Sequence, residues 1–563
     1  MKKALSIILA VLMLCGIFAG CGQQGTQATE PPAATEGEVA QQPAETEGTS
    51  GDEVKVLRTN GGPVEFFDSP WLNPGFMFNN KVIYDTLITC DANKTPTDGV
   101  LAESYSMDGN TLTFVLREGV TWHDGEPFTA EDVKFSIERS LQTGLLNSMI
   151  SGVFYCIEGT NEFMDGTADG ISGVAIDGNT VTVTMASDSS DTLLAFSQFA
   201  IVPKHLLEDV DPAQWQQSEF FQNPVGTGPF KVKEVSIGNY CILEPNENYF
   251  DGVADFEIYC YASAGDSDAN LVTNALAGNY DYAFIKQYDD VKSLRAANAA
   301  INIDTVSTYY TRFFLLNQFD KADGTTSPFA DVRVRQAVAY AIDAAAICES
   351  IFEGAAQPAD SLVPNIETKL EGLNDYGYNP EKAQELLDEA GWDSSRTLIC
   401  AYYYTDQQTV DLMAILQQQL GAVGINIEPK LITGDINTYL WTRPSDKENG
   451  PSAVEWDILY AAKAAASLYE YYSMFSIESS INSHYPYNEE TENMINAIKT
   501  SDPEAQLKAL HTIEQYENDN LLCVPLYYQP VWVISSDAVR ANVDVWGDPQ
   551  WRWDWNVQNW EIG

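Results

Sequence analysis

Between Leu101 and Leu141 the sequence LAESYSMDGNTLTFVLREGVTWHDGEPFTAEDVKFSIERSL constrains local structure more tightly than any other stretch of the 563-residue chain. Asp108-Gly109-Asn110 supplies a turn, because glycine and asparagine tolerate the left-handed backbone that a tight reversal needs. Thr111 to Leu116 alternates polar and apolar residues, the period of a half-buried strand, and Asp124-Gly125 marks a second turn. Thr129 then caps a helix. Glu131 and Asp132 set negative charge against the free N–H groups of its first turn, and Val133, Ile137 and Leu141 share one face at four-residue spacing.

A chain of 563 residues exceeds what one hydrophobic core usually supports, so two or three core regions are expected. Its 45% hydrophobic content excludes wholesale disorder. With 30 Lys and Arg against 81 Asp and Glu, the net charge of −51 disfavours nucleic acid and anionic membrane surfaces as partners. At the N-terminus, Lys2 and Lys3 precede an apolar run from Ala4 to Phe18, too short for a settled membrane span. From Gly22 to about Asp52 the composition is Gln, Thr, Glu, Pro, Ala, Gly and Ser. Such a segment cannot bury enough surface to fold, and as a flexible tether it would span roughly 30 Å.

Cysteine and histidine usage points to no metal. Beyond Cys15 and Cys21, seven cysteines are scattered without a CxxC pair, and His123, His205, His484 and His511 stand far apart. Cys241 and Cys260 either face one another across a hairpin turning near Asp251-Gly252 or stand as buried free thiols. No GxSxG, HExxH or Walker motif occurs, and no carboxylate pair is singled out by spacing. An acid-pair glycoside hydrolase and a surface adhesin are the readings from other classes. No catalytic residue, cofactor or metal ligand is assigned.

The run 101–141 also resembles a family signature. Leu101-Ala102-Glu103-Ser104, Asp108-Gly109, Phe114-x-Leu116-Arg117, Gly119-Val120-x-Trp122, Asp124-Gly125 and Phe128-Thr129-Ala130-x-Asp132-Val133-x-Phe135-Ser136 are similar to the bacterial solute-binding proteins of family 5, the peptide, dipeptide and nickel receptors of ABC importers. Further segments resemble the same family: Pro224-Val225-Gly226-Thr227-Gly228-Pro229-Phe230, whose glycines are expected to shape a tight turn, and Phe329 to Ala337 followed by Ala341-Ile342-Asp343. In the latter, Asp331 caps a helix with an apolar stripe of Val334, Ala337, Val338, Ala341 and Ile342. Asn379-Pro380 opens another helix that Gly391 ends, and a helix at Leu412 to Leu420 leads to a strand at Ile425 to Ile432. Phe18-Ala19-Gly20-Cys21 resembles a bacterial lipoprotein signal, with Cys21 the lipidated residue.

The resemblance implies an α/β, two-lobed periplasmic-binding-protein-like fold (type II, large cluster C type) with mixed sheets and an extra subdomain in lobe one. The expected organisation is a signal peptide at 1–20, a tether at 21–52, lobe one at 53–315 with its extra subdomain at about 75–195, lobe two at 316–520, and a return to lobe one at 521–563. The implied role is that of a lipid-anchored, monomeric receptor on the outer face of the cytoplasmic membrane. It would bind oligopeptides, or alternatively oligosaccharides, and deliver them to a permease with separate ATPase subunits. Family members that bind peptides hold the ligand's ammonium with an Asp soon after a strand like Trp456-Asp457-Ile458-Leu459-Tyr460. Here Ala461-Ala462-Lys463-Ala464-Ala465-Ala466-Ser467-Leu468 follows, and no acid appears before Glu470. Tyrosines and tryptophans, including Trp546, Trp551, Trp553, Trp555 and Trp560, suit sugar faces as well as peptide side chains. The cleft is expected to be lined by Asn60, Tyr309, Asn317, Tyr460, Lys463 and Tyr469, with Asn60 following the first strand in a turn, Thr59 to Gly62.

Overall fold

The computed structural model describes residues 54–562, apart from 72–77, 91–95, 264–269, 365–367, 541–555 and the single positions 66, 68, 188 and 466. Cys21, the signal segment, the tether, Ala466 and four tryptophans (Trp546, Trp551, Trp553 and Trp555) therefore lie outside the described residues. No helix among the described residues is long and apolar enough to cross a membrane.

The 101–141 run folds as its local chemistry dictates. Strands Ala102–Asp108 and Thr111–Leu116 pair antiparallel around Gly109, whose φ of 55° needs the left-handed region. Thr180–Thr184 and Val174–Asp177 extend them into a four-stranded sheet. The helix Ala130–Thr143 buries Val133, Ile137 and Leu141 and ends on left-handed Gly144. Asp132 is more than a dipole partner: its carboxylate accepts the Thr129 N–H at 2.8 Å and the Lys204 N–H at 2.9 Å, joining helix start to a segment 72 residues on.

A second four-stranded sheet runs in the order Lys55–Gly62, Phe256–Ala262, Tyr240–Pro245, Phe230–Ser236. Its first strand corrects the expected turn at Thr59 to Gly62, because pairing continues through Gly62. A Cβ on Gly62 would stand 2.6 Å from the Cys260 carbonyl oxygen, so the glycine serves strand contact. Cys241 and Cys260 sit directly opposite one another in this sheet as buried free thiols.

Gly226 and Gly228 also depart from expectation. Neither has a positive φ, and a Cβ would lie 1.8 Å from the Ile83 carbonyl oxygen at Gly226 and 2.4 Å from that of Val82 at Gly228. They admit the backbone of the helix Phe78–Ile83, and they are also held by His123. The Gly226 N–H donates to His123 Nδ1 at 3.1 Å, so the protonated Nε2 donates to the Gly228 carbonyl at 2.9 Å. Burial drives this imidazole down to about 4, which keeps Nδ1 free to accept.

The largest sheet has seven strands. Its main path runs Tyr282–Ile285, Cys523–Ser535, Asn302–Leu316, Ile458–Ala464, Thr397–Tyr402, Asn426–Leu431, with Gln357–Pro358 paired to the second of these. The two long strands pair antiparallel from Asn302 opposite Ser535 to Leu315 opposite Cys523. Between Val306 and Tyr310 the register slips: four steps on one strand face two on the other, where Pro530 has no N–H to give.

On one face of the ribbon the apolar residues change core across this slip, Val306, Val531 and Val533 lying in the first and Phe314 and Leu316 in the second, while Trp532 and Ile534 on its other face already belong to the second. Leu57 through Cys260, with Val306, Val531, Val533, Val557 and Trp560, form one cluster. A second unites Leu271, Leu294, Phe314, Phe329, Leu386 and Leu416, and a third gathers Phe313, Leu459, Trp456, Tyr472 and Leu510 on the opposite side of the same sheet. While Tyr282 and Val306 still belong to the first core, the second draws on residues from Leu271 onward. The helices Leu271–Leu276 and Tyr288–Ala296 turn their apolar side chains toward it. The helices Val332–Ala341 and Pro380–Ala390 follow the expected caps at Asp331 and Asn379.

Candidate functional site

Just past the register slip, where the two long strands leave the first core, a basic and aromatic cluster assembles. Strand alternation puts Arg312 on the same side as Phe314 and Leu316, facing the second core. Gln529 and Tyr527 come from the neighbouring long strand, Tyr460 from Ile458–Ala464, and Tyr403 with Tyr404 from the end of Thr397–Tyr402. The Arg312 guanidinium carbon lies 4.2 Å from the centre of the Tyr404 ring and 5.6 Å from that of Tyr460. Tyr404 meets Tyr460 edge-on at 5.7 Å, and the hydroxyls pair off, Tyr460 with Tyr527 at 2.5 Å and Tyr403 with Tyr404 at 3.0 Å. Arg312 Nε donates to Gln529 Oε1 at 2.5 Å, while Nη1 is shut off from water with no hydrogen-bond partner. On the first-core side, the Lys286 ammonium sits 5.5 Å from the Tyr310 ring centre.

The structure divides the expected cleft residues. Tyr460 is in this cluster, though its ring is buried and its hydroxyl is already bonded, and burial pushes that phenol up to about 12. Lys463 stands on the other side of the sheet, opposite Thr311, half-buried. Tyr469 is half-buried beside a short helix, Glu470–Ser473, with the Lys499 ammonium 5.0 Å from its ring centre. Asn60 is half-buried on the first strand, and the side chain of Tyr309 is outside the described residues. Asn317 has a different job from the one expected. It is 2% exposed and donates to Ser452 Oγ and the Trp456 carbonyl while accepting from the Phe319 N–H, so its amide is committed to internal packing. Asp457 is likewise internal, bonded to the Ile399 N–H at 2.9 Å and paired with Lys321 at 3.0 Å.

A second contact spans the cores. Ser467 Oγ donates to Asp191 Oδ2 at 2.6 Å, tying the start of the helix Thr192–Gln198 in the first core to the segment that enters Glu470–Ser473. Burial, with nearby Glu470 adding to it, lifts the Asp191 carboxyl to about 6. Among the described residues no group of three or more His, Cys, Asp or Glu side chains is placed to hold a metal ion. Arg312, Tyr404 and Tyr527 were missed from sequence. A charged residue at apolar parity, as in Arg312-Phe313-Phe314-Leu315-Leu316, was the available signal.

Comparison with known proteins places this architecture. The profile of the bacterial extracellular solute-binding proteins, family 5 Middle, matches residues 98–476. The oligopeptide-binding protein OppA of Lactococcus lactis is 24% identical over 490 residues, 80% of each chain. The solved structure of lactococcal OppA in its closed, peptide-bound conformation superposes with a TM-score of 0.69 at 20% identity, covering 88% of this chain and 98% of that one. NikA from Brucella suis, in complex with Fe(III)-EDTA, superposes at 0.71 with 20% identity, covering 91% and 100%. The fold is that of the two-lobed type II periplasmic binding proteins. The chain belongs to the bacterial extracellular solute-binding proteins of family 5.

Proposed function

We propose that this protein is the substrate-binding lipoprotein of an ABC importer, anchored through Cys21 to the outer face of the cytoplasmic membrane, and that it captures oligopeptides between its lobes for delivery to a permease served by separate ATPase chains. The observation that carries the reading is the pair of long strands that run along all three cores with a break in register between Val306 and Tyr310. A register break interrupts the ladder locally and gives such a ribbon a place to bend, and a ligand touching both sides favours the closed form only by its differential affinity. Shifting a lobe equilibrium from one part in a hundred to ninety-nine takes about 5.5 kcal/mol of such affinity. Asn60, Tyr309, Tyr460, Lys463 and Tyr469 are proposed, with Tyr404 and Arg312, as the residues around the ligand. The absence of an acid before Glu470 leaves Asp191 and Glu470, which approach one another at the contact between cores, as the groups to meet a ligand ammonium.

Mass spectrometry of material eluted from the purified receptor tests the ligand. Peptides are expected, and the same peptides should raise the melting temperature saturably without being cleaved. Recovery of oligosaccharides alone would overturn the peptide assignment, and cleavage products would overturn the receptor role. For the anchor, Cys21→Ser should abolish incorporation of labelled palmitate and move the protein from the membrane fraction to the soluble one. A variant that keeps its label would place the lipid elsewhere.

A further inference from the structure

We infer that Cys241 and Cys260 become joined by a disulfide in the exported protein, a covalent staple across the sheet whose first strand carries Asn60. The inference rests on the extracytoplasmic station of the family, where disulfides persist, and not on which ligand the cleft takes. The two residues are partners in register on the antiparallel strands Tyr240–Pro245 and Phe256–Ala262. Hydrogen-bonded and non-hydrogen-bonded pairs alternate along such a ladder. The Ala262 N–H donates to the Asn239 carbonyl at 2.9 Å, so Cys260 and Cys241, two positions on, are a hydrogen-bonded pair with α-carbons about 5.5 Å apart. That is among the commonest separations for a disulfide, and no backbone movement is needed to close one. Both side chains face the first core and are fully buried, and the Cys260 thiol has that of Cys241 as its hydrogen-bond partner.

Other thiols of the chain are placed differently. Cys523 Sγ donates to Glu517 Oε1 at 3.5 Å, Cys156 Sγ to the Gly152 carbonyl at 3.3 Å, and Cys90 Sγ accepts from Gln198 Nε2 at 3.4 Å. The staple forms by two thiol–disulfide exchanges with an organic disulfide as oxidant. One cysteine thiolate attacks a sulfur of the oxidant and releases its first thiol, and the second thiolate then attacks the mixed disulfide and releases the other. Two electrons and the two thiol protons pass from the cysteines to the oxidant, which leaves as two thiols. In the finished fold, contact with Cys241 and burial hold the Cys260 thiol protonated and keep the oxidant out, so the exchange belongs to the stage before the sheet closes. A Cβ on Gly62 would meet the Cys260 carbonyl oxygen at 2.6 Å, so the strand Lys55–Gly62 is laid directly against the stapled one.

Peptide mapping of the full-length protein tests this. Protein recovered from the outer face of air-grown cells is unfolded in iodoacetamide without reductant and cut after glutamate, since Glu244, Glu247 and Glu257 separate the two cysteines. The Cys241 and Cys260 peptides should be found joined, two hydrogens lighter than their sum, and should part on reduction. Alkylation of both cysteines, or a bond from either to a different cysteine, overturns the inference. Stability supplies a second reading, because the bond closes a loop of 19 residues between Cys241 and Cys260. Reductant should raise the unfolding constant of the wild type roughly a hundredfold and leave that of the double variant Cys241→Ala, Cys260→Ala unchanged. An equal response of the two proteins overturns the pair as a staple. Should the double variant fail to fold, the wild-type peptide map decides alone.

Discussion

Gly226→Ala is expected to destabilise the fold by about 3 kcal/mol or more, whereas Gly152→Ala should leave it unchanged or slightly firmer. At Gly226 a methyl group would stand 1.8 Å from the Ile83 carbonyl oxygen, and backbone cannot swing aside as a flexible side chain can. Relief requires moving the helix Phe78–Ile83 or the 224–230 segment, and either movement strains the His123 bonds to Gly226 and Gly228. At Gly152, inside the helix Ser148–Phe154, a Cβ meets nothing within 4 Å. Denaturant unfolding followed by tryptophan fluorescence checks the pair. Equal midpoints for the two variants would mean that Gly226 is not held against the helix as described.

Stability should fall as the pH rises from about 6.5 to 8, and Glu517→Gln should remove most of that fall, a difference of about 2 kcal/mol. Glu514 and Glu517 are buried on the helix Pro503–Asn520, and desolvation raises them from 4.5 to about 7 and about 8. A carboxyl raised in the folded state contributes stability that is complete below the unfolded value and is lost as pH climbs through the folded one. His123 and His484 act in the opposite sense, since burial lowers them from 6.5 to about 4 and about 3. From 4.5 to about 7.5 the two effects oppose, since the unfolded histidines lose their protons around 6.5, and between 6.5 and 8 the loss from the glutamates is the larger. Urea midpoints at pH 6.5 and 8 for the wild type and Glu517→Gln measure this directly. An equal decline in both proteins would show that Glu517 does not titrate between pH 6.5 and 8.

Local instructions were legible in the sequence, and distant ones were not. Turn, strand, cap and helix between Leu101 and Leu141 depend on neighbours within a few positions, so composition and periodicity carry them. The role of Gly226 depends on Ile83, 143 residues earlier, and appears in sequence only as a glycine between prolines. The start of the second core at Leu271 was hidden for the same reason, because two short helices reveal their side only when packed. Around the site, Tyr460 could be placed because it ends a recognisable strand. Arg312 went unnoticed because Tyr404, Tyr460 and Gln529 reach it from distant strands, and Asn317 looked available because its partners Ser452 and Trp456 lie 135 or more residues away.

The strand Cys523–Ser535 gives Val531 and Val533 to the first core, Val524, Leu526, Trp532 and Ile534 to the second, and Cys523 to the third. Ribosomal synthesis reaches it last, on the order of tens of seconds after Lys55–Gly62 at typical elongation rates. Until then each of the three cores lacks the side chains that this strand supplies. A chain ending before Cys523 should accordingly show no cooperative thermal transition by calorimetry, and a sharp one would mean that some part closes without it.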